Sequence, residues 1–389
     1  MTIVCTEPVG QLLRPRWSKP IGPGGRALLD LLLRRGTAVQ AAMPAQLGLS
    51  QPSVARLVSG FHADGLIAIR SRTATGRGNP SVTLELLADH AFALGVGITG
   101  DALSMALVDL AGTVRAKARA AVVDRSRSAV VERLKTMRAD LLATSAIDPD
   151  RLVGTGVGFS GFLVGDPLRF NPPAMLADWV DVDLIDVLSP ALGSNLLCDN
   201  DATSAALAEG LLGIGRTTST FAYCHLTNGF GGGLIVDGLP MRGARGNAGD
   251  FGAVWWLLGQ DRPGRGYPDL DRLRTLVAGG GVPFATVEDM LVAIEPQTAG
   301  VEEWLAEAKD QFATLAFLLG HIVAPEKVVI GGRLPGWLAQ TLAASVRLPA
   351  SPVRHDRPFP MPVVVPTEVK GDATAIGAAL MPLRSLFFR

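Results

Sequence analysis

The chain has 389 residues, of which 48% are hydrophobic and 19% charged, so it can bury the cores of two or three domains. No stretch reaches 18 consecutive apolar residues, which excludes a long apolar membrane-spanning segment. The formal net charge is zero, but residues 1–90 hold ten Lys or Arg against five Asp or Glu. This imbalance favours a nucleic-acid partner for the N-terminal part only.

Cysteine usage and the N-terminus indicate the compartment. Cys5, Cys198 and Cys224 have no metal-ligand spacing, and a sparse, odd set of cysteines is typical of a reducing environment. The apolar stretch Ile3–Val9 is interrupted by polar residues and a proline, unlike the apolar core of a secretory signal. We therefore expect a cytoplasmic protein with no membrane partner.

The first 50 residues predict an arm and two helices. Residues 1–23 are rich in proline and glycine and are expected to form a flexible N-terminal arm. Apolar residues from Leu28 onward predict a first helix that stops at Gly36. A second helix is expected at residues 39–47, although Pro44 would then lie in its interior, at a cost of about 3 kcal/mol.

Residues 50–86 carry the most specific pattern in the chain. Ser50 suits a helix N-cap, Pro52 is tolerated in the first turn, and apolar residues recur from Val54 at i, i+3, i+4 and i+7. Two alternating strands follow, separated by a basic turn. This order predicts a winged helix-turn-helix, which we assign to residues 24–88.

The polar side of this pattern supplies the candidate DNA contacts. They are Ser50, Gln51, Ser53 and Arg56 on the helix, and Arg72, Arg77 and Asn79 in the turn. Glycines and a proline around Arg77 favour a shaped tip that enters the minor groove, where arginine is preferred; a solvated basic turn is the alternative.

Two later segments share a strand-turn-strand pattern. The first covers residues 94–114, with a turn at 99–101, and the second covers residues 220–239, with a turn at 227–229. A repeat about 125 residues apart suggests two similar lobes with a cleft between them.

Six motifs in order resemble those of the ROK family, named for repressor, open reading frame and kinase. They are Gly76–Pro80, Cys198–Glu209, Leu226–Gly233, Gly243–Gly252, Pro325–Gly332 and Gly371–Ala379. The resemblance covers residues 25–385 and points to the N-acetylglucosamine/xylose repressor branch. It implies an α/β, two-lobed, actin-like body with a sugar in the interlobe cleft. We assign residues 89–205 to the first lobe and 206–389 to the second, with the final helix free to pack back on the first lobe.

The same resemblance implies a set of sugar-binding residues. They are Asn171, Asn200, Asp201, Gly246, Asn247 and Asp250. A family kinase would use the carboxylate at Asp201 as general base, whereas a plain helix cap is the alternative. Asn171 could equally form a turn, and the segment around Asn247 could equally be tight-turn packing. Asp250 replaces the family's glutamate on a shorter arm.

Departures from the family pattern argue against catalysis. Gly97 stands where the kinases carry the aspartate of their metal-phosphate site, and Ala253 stands where they carry a histidine that contacts sugar and zinc. The cysteine-rich zinc segment is replaced by residues 263–269, which contain no cysteine. We therefore expect no zinc, no other metal, no cofactor and no phosphoryl transfer. Asp101 is the one nearby carboxylate that could replace the missing aspartate.

The sequence thus favours a sugar-responsive transcriptional regulator. Its expected partners are a pseudo-palindromic operator and further copies of the chain, in a dimer or tetramer. The first rival is an ATP-dependent sugar kinase that carries a DNA-binding head. The second rival is an orphaned sensor that binds another protein.

Overall fold

The structure is a computed structural model that describes residues 8–15, 18–71, 82–122, 124–164, 169–254, 267–351 and 353–389. Its helices are α1 (Pro23–Arg35), α2 (Met43–Leu47), α3 (Gln51–Ala63), α4 (Arg127–Thr144), α5 (Leu184–Leu192), α6 (Asp201–Leu212), then Leu270–Gly279, Val287–Ala293, Val301–Ile322, Gly336–Ser345 and the C-terminal helix Ala373–Phe387. Within these ranges no helix is both long and apolar enough to cross a membrane.

The strands build three larger sheets and two short hairpins. In chain order they are β1 (Val9–Gln11), β2 (Thr37–Val39), β3 (Ile67–Ser71), β4 (Val82–Leu86), β5 (Phe92–Ile98), β6 (Ala102–Asp109), β7 (Val114–Ala121), β8 (Leu152–Phe159), β9 (Phe162–Leu163), β10 (Phe170–Asn171), β11 (Leu196–Asn200), β12 (Phe221–Leu226), β13 (Phe230–Val236), β14 (Leu239–Met241), β15 (Lys327–Gly332), β16 (Val353–Arg354), β17 (Arg357–Pro358) and β18 (Val363–Pro366).

The N-terminal unit consists of α1, α2, α3 and the antiparallel sheet β2-β4-β3. Helix α1 ends at Gly36, and the side chain of Ser50 caps α3 by accepting from the Ser53 N–H, both as predicted. The second helix begins at Met43 rather than at residue 39, after a 3-10 turn at 40–42. Pro44 therefore lies in a first turn, where its missing N–H breaks no helical hydrogen bond.

Each lobe is built around one sheet. The first has the order β1-β11-β8-β5-β6-β7, and the second has the order β14-β13-β12-β15-β18. Both predicted strand-turn-strand units are present, as β5-β6 and β12-β13. Part of the expected flexible arm instead forms β1, which pairs antiparallel with β11 and is itself the edge strand of the first sheet.

Helix α6 and the C-terminal helix lie at the centre of the body. The C-terminal helix packs on the first sheet so closely that a Cβ at Gly95 would lie 1.8 Å from the Ala375 carbonyl oxygen. Helix α6 packs on the second sheet, where Gly233 faces the backbone around Ala202. The expected lobe boundary at 205/206 thus falls inside α6, a helix shared by the two lobes.

One hydrophobic core joins the N-terminal unit to the body. It contains apolar side chains of α1, α3 and β4 together with residues of β6 and the C-terminal helix. Its fully buried members include Leu28, Leu32, Val108 and Leu383. The N-terminal unit is therefore packed against the first lobe rather than attached by a linker alone.

Candidate functional site

A cleft of about 600 Å³ lies between the lobes at the N-terminal end of α6. All six sequence-predicted ligand-binding residues line it: Asn171, Asn200, Asp201, Gly246, Asn247 and Asp250. The structure therefore brings together residues that are up to 79 positions apart in the chain.

The start of α6 holds two of these residues in different roles. Asn200 is the N-cap, since its Oδ1 accepts from the N–H groups of Ala202 and Thr203 at 2.9 and 3.0 Å. Its Nδ2 donates to the Gly161 carbonyl at 2.8 Å, so the Asn200 amide is engaged on both sides. Asp201 is therefore not the cap: its buried carboxylate accepts a hydrogen bond from the Ser160 hydroxyl.

The loop from the second lobe reaches across the cleft. Asn247 accepts from the Leu163 N–H at 2.7 Å and donates to the Leu163 carbonyl at 2.8 Å. Gly246 has φ +82°, and a Cβ there would lie 2.8 Å from the Leu163 side chain. Both residues thus bring the lobes into contact, which agrees with the tight-turn alternative and still leaves them on the cleft wall.

Two carboxylates in the cleft have raised pKa values. Partial burial raises the pKa of Asp250, and the charge of Asp201 adds to this effect. Burial raises the pKa of Asp269 to about 7. Asp269 also caps the following helix by accepting from the Arg272 N–H at 2.8 Å. Perturbed carboxylates in a cleft are typical of ligand-binding sites.

Sequence reasoning missed Asp269, Tyr267 and His225, which all line the cleft. His225 is 4% exposed, and its Nε2 lies 3.1 Å from the Thr374 hydroxyl. No described residue provides a hydrogen-bond partner for its Nδ1. Burial lowers the pKa of His225, which favours the neutral ring. No motif marks His225, whereas Tyr267 and Asp269 lie within residues 263–269, the segment that replaces the family's zinc ligands.

The region of the missing kinase aspartate is filled. A Cβ at Gly97 would lie 2.5 Å from the Ser104 hydroxyl and 3.2 Å from Thr374 Cγ2. The carboxylate of Asp101 forms an ion pair with Arg333, which comes from the opposite lobe. Asp101 also accepts from the Thr99 hydroxyl at 3.0 Å.

Arg333 belongs to a chain of charged side chains that starts at Asp101 in the cleft wall. It also pairs with Glu288, which in turn pairs with Arg119 at 3.0 Å. Arg119 reaches Asp372, the N-cap of the C-terminal helix, at 2.7 Å. Since Asp101 and Arg119 lie in the first lobe and Arg333 and Glu288 in the second, this chain connects the two lobes.

Possible metal ligands are scattered in the described part of the chain. No group of three or more His, Cys, Asp or Glu side chains in those residues is arranged to hold a metal ion. Residues 255–266, which contain most of the segment that replaces the zinc motif, lie outside the described residues.

The candidate DNA contacts are only partly described. Gln51 and Arg56 are exposed on α3, while the hydroxyl groups of Ser50 and Ser53 lie 2.9 Å apart and are involved in capping. Arg72, Arg77 and Asn79 lie outside the described residues.

The raised pKa of Asp269 predicts that the substitution Asp269→Asn stabilises the folded protein at high pH. Between the unfolded value of 3.8 and about 7, the folded protein holds the proton more tightly, so stability falls as pH rises through this window. The asparagine does not ionise and can still cap the helix. We expect its melting temperature to exceed that of the wild type at pH 8 and the difference to vanish near pH 4. At pH 8 the corresponding difference in the free energy of unfolding is at most about 4 kcal/mol.

Melting curves at pH 4, 6 and 8 test this expectation. Asp183→Asn is the matched control, because Asp183 caps α5 in the same way, accepting from the Ile185 N–H at 2.9 Å. Equal melting temperatures for wild type and Asp269→Asn at pH 8 would contradict the expected burial penalty.

Comparisons with known proteins support the family resemblance. Residues 93–257 match the sequence profile of the ROK family. Uncharacterized protein y4fQ of Sinorhizobium fredii is 28% identical, over 93% of this chain and 91% of its own length. A glucokinase of Halalkalibacterium halodurans is 28% identical over 61% of this chain and 79% of its own. A xylose repressor of Bacillus spizizenii is 22% identical over 58% of this chain and 59% of its own.

A solved structure extends the likeness to the fold of nearly the whole chain. The crystal structure of a ROK family transcriptional regulator, a homolog of the E. coli MLC protein, superposes with a TM-score of 0.59. It covers 94% of this chain and 96% of its own, at 20% identity. The resemblance to the ROK family is confirmed by the profile match at residues 93–257, and the actin-like α/β fold by this superposition. At this identity the superposition speaks for the fold alone.

Proposed function

Since the chain carries a ROK family domain, we propose that it is a sugar-responsive transcriptional regulator. In this proposal the N-terminal unit is a winged helix-turn-helix that binds operator DNA. The interlobe cleft binds an unphosphorylated sugar, and the protein transfers no phosphate. The chain acts as a homodimer or tetramer that places two recognition helices on a pseudo-palindromic operator.

The observation that carries the proposal is the shared hydrophobic core between the N-terminal unit and the ROK body. A unit that were only tethered would move independently of the cleft. Here α1 is packed against the first lobe and the C-terminal helix, so a change of lobe arrangement has a physical route to the DNA-binding surface. Exposed Gln51 and Arg56 at the start of α3 suit a recognition helix.

The cleft chemistry supports a neutral, hydroxyl-rich effector. Its described lining offers the carboxylates of Asp201, Asp250 and Asp269 and the phenol of Tyr267. None of the described lining residues is Lys or Arg. Sugar hydroxyls donate well to carboxylates, whereas a phosphate would be repelled by them.

The proposal is tested by selecting genomic DNA fragments on the purified protein and by screening sugars in thermal-shift assays, with and without Mg-ATP. We expect at least one unphosphorylated sugar to raise the melting temperature without ATP and to change operator affinity. Stabilisation that requires Mg-ATP would favour the kinase reading. Failure to enrich any DNA sequence would overturn the regulator reading.

Specific readout by α3 predicts that Arg56→Ala or Gln51→Ala relaxes the sequence preference at one base pair, by about 1–3 kcal/mol. Arg77→Ala is expected instead to weaken binding to all sequences and to lower the slope of log affinity against log salt concentration by roughly one.

Binding to randomised operators at several salt concentrations measures both effects. Arg133→Ala, which changes an exposed arginine of the body helix α4, is the control. Unchanged affinity and specificity in an Arg56/Arg77 double variant would contradict the assignment of the DNA-binding surface.

A further inference from the structure

Helix α6 connects the cleft directly to the N-terminal unit. Its first residue, Asp201, lies in the cleft wall. At its other end, the guanidinium of Arg34 from α1 donates to the carbonyls of Gly210 and Gly215, both at 2.7 Å. Arg34 is held in place by Asp30, one turn earlier on α1, at 2.8 Å. A helix of 12 residues therefore spans roughly 18 Å from the cleft to α1.

The C-terminal helix makes a parallel connection. Near its start, Thr374 contacts His225 in the cleft wall and donates to the Asp201 carbonyl at 3.3 Å. At its end, Arg26 of α1 donates to three backbone carbonyls, those of Arg384, Ser385 and Phe388, at 3.1, 2.8 and 2.7 Å. Both helices thus begin at the cleft and end at an arginine of α1.

The two helices are also packed tightly against each other. A Cβ at Gly377 would lie 1.7 Å from the Ser204 carbonyl oxygen, so the two backbones are in contact there. Such close packing leaves little room for one helix to slide independently of the other. A displacement at the cleft end is therefore transmitted to both C-terminal ends.

We infer that Arg26 and Arg34 are positioning residues that couple occupation of the cleft to the placement of the DNA-binding unit. This inference rests on the proposed function. The last carbonyls of a helix lack intrahelical partners and carry the negative end of the helix dipole, so an arginine binds them well. The planar guanidinium needs a defined geometry to reach two or three carbonyls together, and small shifts of the helix ends change the orientation of α1.

The experiment measures the coupling ratio, defined as operator affinity without sugar divided by operator affinity with saturating sugar. Couplings between sites are commonly 5- to 150-fold, in either direction. We expect Arg26→Lys and Arg34→Lys each to bring the ratio closer to one and the double variant to bring it near one. Lysine keeps the charge but cannot reproduce the forked geometry.

Three further measurements separate coupling from a general structural effect. Arg35→Ala is the matched control, because Arg35 is the next residue on α1 and is exposed. Thr374→Val breaks the contact at the cleft end without touching α1, and is expected to bring the ratio closer to one as well. By linkage, operator DNA must change sugar affinity by the same factor in every variant, which titration of sugar into the protein–DNA complex measures.

Each outcome decides the inference. A wild-type ratio in both the double variant and Thr374→Val would overturn it while leaving the sugar-responsive regulator intact. A wild-type protein that binds sugar and operator with a ratio of one would overturn the proposed function, and the coupling inference with it. If the arginine variants do not fold, a ratio closer to one in Thr374→Val supports the inference and an unchanged ratio overturns it.

Discussion

Asp201→Asn is expected to abolish both the sugar-induced rise in melting temperature and the sugar-induced change in operator affinity. Asp201 is 7% exposed and lies in the cleft wall, where its carboxylate accepts from the Ser160 hydroxyl. A hydrogen bond to a charged group is worth about 1.5–3 kcal/mol, so its loss weakens sugar binding roughly 10- to 150-fold. Removing the charge while keeping the side-chain shape tests this contribution with little change in packing.

Operator binding without sugar is expected to stay at the wild-type level in Asp201→Asn, because α3 and the N-terminal sheet lie at the far end of α6. Asp186→Asn is the control, since Asp186 is an exposed carboxylate in the first turn of another helix, α5. Calorimetric titration with the sugar found by screening gives the affinity of each variant. Sugar affinity within twofold of the wild type would remove Asp201 from the binding site.

Local features of the fold were predictable because the signals are local. Ser50 and Gly36 have side-chain and backbone preferences that set the ends of α3 and α1, whatever surrounds them. The turn glycines likewise located the strand pairs β5-β6 and β12-β13. The error at the second helix came from extending a helix through Pro44, which instead belongs to a first turn.

The features that sequence analysis missed depend on residues far apart in the chain. The ion pair between Asp101 and Arg333 joins residues separated by 232 positions, and no local pattern marks Arg333. His225 was interpreted as an ordinary structural residue. Its position beside the cleft depends on the packing of β12 against the C-terminal helix, which no local sequence pattern indicates. The expected lobe boundary at 205/206 lies within α6, which packs on both the second sheet and the C-terminal helix, and such long-range packing leaves no local mark in the sequence.

The same long-range contacts bear on the kinase rival. Phosphoryl transfer depends on a metal ion, held by carboxylates, that neutralises the transferred phosphate. The Asp101 carboxylate is already paired with Arg333, and Gly97 has no side chain with which to hold a metal. Asp201 could still accept a proton from a sugar hydroxyl, but a base without an aligned phosphate gives little rate enhancement.

We therefore expect no sugar-dependent ADP release from the wild type at a useful rate. Gly97→Asp is expected not to produce sugar-dependent ADP release, because the added Cβ would lie 2.5 Å from the Ser104 hydroxyl. The double variant Gly97→Asp/Arg333→Ala frees Asp101 from its ion pair but leaves that clash in place. A coupled assay with Mg-ATP across the sugars that stabilise the protein measures turnover. Working kinases turn over at about 1–100 per second. Wild-type turnover in that range that disappears in Asp201→Asn would make the chain a kinase with a DNA-binding head, since only a functional base and an aligned phosphate together explain both results.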